Sequence, residues 1–95
     1  MEDYARVLIE KNGLSTLKES ITIGKQVIER KLAVYKKKIE KFEEAKDMNN
    51  ETFLTLFTNG KLGDNKEWLE WEHIANVSDL LKRKLDDLAK LKYEY

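Results

Sequence analysis

Apolar residues recur along this chain in two long stripes separated by a short stretch punctuated by glycine. Between residues 17 and 46, Ile28, Leu32, Tyr35, Ile39 and Phe42 follow one another at steps of four, three, four and three, and Ile21 and Gly24 extend the stripe backwards. This is heptad spacing, the mark of a helix that lays one narrow face on a helical neighbour. Thr16, with Glu19 three residues later, reads as a capping box that opens the helix. Gly24 is a poor helix former, and its place in the stripe suggests a close crossing or a slight kink. From 65 to 93 a second stripe runs through Trp71, Ile74, Val77, Leu81, Leu85, Leu88 and Leu91. Asp64 is positioned as its N-cap, with Glu67 at the third helical position. Acid-first pairs four residues apart, Asp79 with Arg83 and Asp86 with Lys90, support its outer side.

The two stripes have nearly equal length, and the segment between them contains NNETFLTLFTNG. Asn49 or Asn50 can cap a short helix over 50–58 that carries Phe53, Leu54, Leu56 and Phe57, and Gly60 can end it. Gly60 and Gly63 then shape the turn into Asp64. The pattern predicts an all-α fold in one domain, 1–95: a long antiparallel, coiled-coil-like helical hairpin with a short bridging helix. Pairing residues whose numbers add to about 113 sets Ile39 beside Ile74, Leu32 beside Leu81, Phe42 beside Trp71 and Gly24 beside Leu88. Residues 1–13 form an arm in which YARVLIE suits a helix or a strand. Asn12-Gly13 suits a helix end or a hairpin turn. With only Ile21-Thr22-Ile23 as a second strand candidate, a helix of about two turns is the favoured reading of the arm.

Composition narrows the class. The chain has 95 residues, of which 41% are hydrophobic and 38% charged, with no proline and four glycines. That is too apolar for plain disorder, and it favours long uninterrupted helices. A core of this size is marginal alone, so self-association is expected, all the more because Val27, Val34, Leu80 and Leu85 widen the stripes beyond a two-helix seam. Cysteine is absent and histidine occurs once, which removes disulfides, thiolate metal sites and histidine-rich sites. The acidic start MEDYARVLIEKNG is unlike a signal peptide, and no apolar run approaches a membrane span, so a cytoplasmic protein without membrane contact is expected. The net charge is zero but unevenly spread: residues 11–41 carry nine Lys/Arg against three Asp/Glu, and residues 42–80 carry three against nine.

Both tryptophans fall in the acidic part, beside the sharpest turn. Trp71 reads first as a cap on the hairpin core, packed on Phe42, Phe53 and Phe57. Trp68, in the first helical turn, divides evenly between burial and contact with a partner. Helix-dipole complementation and ordinary solvation account for each nearby acid taken singly. Their gathering around tryptophan instead suits a partner that is basic because it handles nucleic acid. No nucleophile has a paired base, and His73 reads as a flanking residue. Glu70-Trp71-Glu72-His73 supplies one of the two Glu-x-x-His pairs of a dimetal bundle site, but the second is missing. No cofactor, metal site or enzymatic activity is therefore expected. The basic run over 25–41, with KKKIEK at its centre, reads as a solvated helix face before it reads as a phosphate contact.

Residues from Lys31 to Leu91 resemble small helical prokaryotic proteins encoded beside toxin genes, the antitoxin-like partners of ribonuclease-type toxins of the TumA/TumE type. Four elements carry the resemblance. They are Tyr35, Ile39, Phe42 and Glu43 at the end of the first helix; Met48 with Phe53; Gly60-Lys61-Leu62-Gly63-Asp64; and Trp68-Leu69-Glu70-Trp71. The resemblance implies a non-enzymatic protein-binding module with a cognate toxin as partner. Combined with the charge map, it nominates Trp68 and Trp71 as anchors and Glu67, Glu70 and Glu72 as their charge complements. A self-associating coiled coil and a nucleic-acid binder acting through helix 25–41 are the alternatives.

Overall fold

The computed structural model describes residues 3–93 and is all-helical, with no strand among the described residues. Three α-helices follow a single 3-10 turn at Lys11–Gly13: α1 over Leu14–Lys46, α2 over Asn50–Thr58 and α3 over Lys66–Ala89. Helices α1 and α3 pack along each other, and α2 packs on α3. At one end the Lys18 ammonium lies 4.9 Å from the centre of the Tyr93 ring. At the other, Phe42 stacks on Trp71 and Lys46 pairs with Glu67. The two long helices therefore run in opposite directions, in a molecule about 54 Å long and 29 by 18 Å across.

Several local expectations are corrected. The arm carries no helix over residues 3–10, and residues 1 and 2 lie outside the described residues. Eight residues rich in β-branched and aromatic side chains cannot offset the cost of helix nucleation without a face to bury, and Val7 and Leu8 are almost fully exposed. The first long helix begins at Leu14 rather than 17. Its N-cap is Gly13, already in helical conformation and without a side-chain cap bond. The preceding 3-10 turn delivers the chain in helical geometry, so Thr16 and Glu19 lie inside the helix and form no capping box. Gly24 is not at a close crossing either: a Cβ built on it meets nothing within 4 Å.

The ends of α2 show which residues fix the turns. Asp47 adopts the left-handed conformation just after α1, and the amides of Asp47 and Met48 both donate to the Glu43 carbonyl. Asn49, not Asn50, caps α2: its side chain accepts from the Thr52 amide at 2.8 Å. Gly60, at φ +71°, closes α2 with two bonds, its own amide to the Phe57 carbonyl and the Lys61 amide to the Leu56 carbonyl. That pattern satisfies helix-end carbonyls and needs a residue free to take positive φ. Gly63, at φ +78°, makes the second bend. The N-cap of α3 is Asn65, whose side chain accepts from the Glu67 amide at 2.9 Å. The bend at Gly63 leaves Asp64 one position too early to cap, so it stays exposed in the turn. At its far end α3 stops at Ala89, short of 93.

The buried core is small and sits at one end. Phe53, Trp71 and Ala75 are its apolar members, and Ser78 is buried beside them. All four lie where α2 covers the hairpin. Toward the termini the facing side chains of α1 and α3 are only half-buried.

Candidate functional site

The loop end is assembled around Trp71. Its ring stacks on Phe53 of α2 at 4.0 Å between centroids, and on Phe42 of α1 at 5.5 Å, both nearly parallel. Trp68 lies at the edge of this stack, 5.8 Å from Phe53 and 6.2 Å from Trp71. Phe57 adds a tilted contact on Phe53 at 5.6 Å. Flat rings from three helices thus lock α2 against the hairpin, an arrangement that adds roughly 0.5–1.5 kcal/mol per pair beyond area burial.

A polar relay fixes the same junction. The Trp71 indole N–H donates to the Asn50 side-chain oxygen at 2.8 Å, and the Asn50 amide donates to the Glu43 carboxylate at 2.8 Å. Glu43 therefore binds the turn twice, with its carbonyl and with its carboxylate. No buried side-chain nitrogen or oxygen among the described residues lacks a hydrogen-bond partner. Lys46 pairs with Glu67 and places its ammonium 5.0 Å above the Trp68 ring. Both members of that pair are partly solvated, so its direct contribution is at most about 1 kcal/mol.

The nominated residues separate into three places. Trp71 is wholly buried. Its ring is committed to the core, and it cannot be presented to a partner while the fold is intact; this corrects its nomination as a contact anchor. Trp68 is half-buried at the loop end. Glu67 and Glu70 line an open groove between α1 and α3 on the side away from α2, with Tyr35, Phe42, Leu69 and Ile74. Glu72 is half-buried on another flank and accepts from the Asn76 side chain at 2.9 Å. The three glutamates are not one patch, because helical rotation sets positions 67 and 70 on one side of α3 and 72 on the other. Gly60, Gly63 and Asp64 stay exposed in the turn. Asp47, Glu51 and Asp64 are also exposed at this end, with no ion pair among the described residues.

Sequence reading missed Asn50, Glu43 and Lys46 as parts of this junction. The asparagine pair at 49 and 50 was the available signal: one caps the helix and the other is free to meet the indole 21 residues on. Among the described residues no cluster of His, Asp and Glu could hold a metal ion, and no helix is long and apolar enough to cross a membrane. No protein-family model, curated protein or solved structure matches this chain.

Proposed function

We propose that this chain is a non-enzymatic protein-binding module of the antitoxin-like kind its resemblance implies. Its coiled-coil-like hairpin acts as a rigid arm, and its loop end masks a basic surface on a partner protein. The observation that carries this reading is Trp68, half-exposed at the end where Asp47, Glu51 and Asp64 have no cationic partner among the described residues. An amphipathic ring held from beneath by Phe53 and Trp71 is pre-organised, so little side-chain freedom is lost on contact. The carboxylates exposed at the same end attract a cationic surface and speed encounter.

The test is binding kinetics against the protein encoded beside this one, co-expressed and purified with it. Trp68→Ala is expected to weaken binding by about 2 kcal/mol, roughly thirtyfold, mainly through faster dissociation. Reversing Glu51 and Asp64 to Lys is expected to slow association and flatten its salt dependence. Lys36→Glu with Lys37→Glu, on the basic helix, is expected to change neither rate greatly. Loss of binding in the lysine variant, with Trp68→Ala and the reversed carboxylates unaffected, refutes the reading.

A further inference from the structure

The arm before the first helix concentrates exposed apolar surface. Four of the ten large apolar side chains exposed among the described residues fall within residues 4–9, and Val7 and Leu8 are 82% and 95% exposed. Residues 3–10 run without a turn or bend, and Glu10 is extended, at φ −62° and ψ 143°. At the outer end the Lys92 ammonium lies 5.2 Å from the centre of the Tyr4 ring, and at the inner end Ile9 lies beside Gly13. Between them, residues 5–9 make no hydrogen bond and no ion pair among the described residues. An extended backbone sets successive side chains on opposite sides. Ala5, Val7 and Ile9 then form one wholly apolar side, and Tyr4, Arg6, Leu8 and Glu10 a mixed one. This is the pattern of a strand buried on one side, in a chain with no strand among its described residues.

We infer that the arm is a strand without a sheet of its own, and that residues 5–9 add to the exposed sheet edge of a partner protein. The inference rests on the reading of this chain as a protein-binding module, and not on Trp68. Backbone chemistry selects the occupant. A row of extended N–H and C=O groups is matched by the free row at a sheet edge, and the main-chain hydrogen bonds between them give affinity. The Ala5, Val7 and Ile9 side then covers apolar side chains on one face of that sheet, while Arg6 and Glu10 stay in water. A second copy is a poorer match, because two arms alone make a two-stranded ribbon, which is marginal in water. A helix formed on docking is poorer as well. It must nucleate, whereas the arm is already extended and loses less freedom as a strand. Residues 3–10 span roughly 26 Å when extended. A partner domain of about 100 residues is roughly 30 Å across. Together these lengths match the 54 Å of the molecule, so one domain held at the loop end also meets the arm.

The probe is the protein encoded beside this one, in complex with the full chain. In the free chain the amides of residues 5–9 are expected to exchange with solvent at close to unstructured rates. In the complex every second one is expected to slow at least about a hundredfold, because a strand paired on one side turns alternate amides to its partner. Proline supplies a second reading. It removes the amide, and it fits an extended, solvated arm without disturbing the helices. Arg6→Pro and Val7→Pro are each compared with the alanine variant at the same position. One proline is expected to weaken binding about tenfold beyond its alanine control, and the other to match its control. Protection of consecutive amides is the signature of a helix and overturns the inference. Protection of none overturns it too, as does an equal proline effect at both positions. Trp68→Ala is measured alongside. If it weakens binding while both prolines match their controls, the arm has no role and the loop-end reading stands. The reverse pattern supports the arm and overturns Trp68 as the anchor. Absence of any complex with the intact chain overturns both.

Discussion

Trp71→Phe isolates what the loop-end junction contributes. The substitution keeps an aromatic ring between α1 and α2, so stacking on Phe42 and Phe53 survives in part. Two things are lost. The indole N–H no longer reaches Asn50, which removes a 2.8 Å hydrogen bond and leaves a part-buried amide oxygen without its donor; that costs about 1 kcal/mol. The smaller ring also vacates roughly 40 Å³ in a site with no solvent access, which at about 24 cal/mol per Å³ costs about 1 kcal/mol more. A total near 2 kcal/mol corresponds to a fall in Tm of roughly 8–16 °C for a domain of this size. Trp68→Phe is the control. Trp68 is half-exposed and its indole makes no hydrogen bond among the described residues, so its loss stays under about 1 kcal/mol. The assay is thermal and urea unfolding followed by far-ultraviolet circular dichroism, at one fixed protein concentration so that association does not shift the midpoint. The reasoning is refuted if Trp68→Phe costs as much as Trp71→Phe. A Trp71→Phe loss below about 0.5 kcal/mol refutes it as well.

The turns give two sharper comparisons. Asn65→Ala is expected to lower stability by about 1 kcal/mol and Asp64→Ala by less than about 0.5, because only Asn65 caps α3; equal losses measured by urea unfolding would return the cap to Asp64. Gly60→Ala is expected to cost about 1–2 kcal/mol at its positive φ, whereas Gly24→Ala, in open space within α1, is expected to add about 0.5–1 kcal/mol; a loss at Gly24 would show a close approach there after all.

The helical character of the chain was legible because its apolar positions keep a helical period for long stretches without proline. What periodicity could not supply was the choice among neighbours with similar chemistry. Asn49 and Asn50 are equally good caps in isolation, and so are Asp64 and Asn65. In each case the decision came from the adjacent backbone: the left-handed Asp47 before one pair, the bend at Gly63 before the other. Thr16 and Glu19 formed a sound capping signal that was overridden because the turn at Lys11–Gly13 had already started the helix. The arm misled for another reason. YARVLIE has the local pattern of an element, but its side chains find little to pack on, and propensity alone is too weak to hold so short a helix. At the candidate site the fate of Trp71 was readable as core from its place in the stripe. The separation of Glu67 and Glu70 from Glu72 follows from helical rotation alone. The neutralisation of Glu67 by Lys46 does not, since it depends on how two helices meet.

The placement of the aromatic core beside the turn also orders the chain in time. Phe42 and Trp71 are 29 residues apart in sequence, whereas Lys18 and Tyr93, which meet at the far end, are 75 apart. Closing the longer loop first would cost about 0.8 kcal/mol more entropy and would bury little in return. Closing the shorter one first brings together the Phe42, Phe53 and Trp71 rings. The remaining contacts then close in sequence, each over a gap already shortened by the last. A hairpin built this way assembles from its bend outward like a zipper, through contacts that are local when they form, and such topologies fold fast.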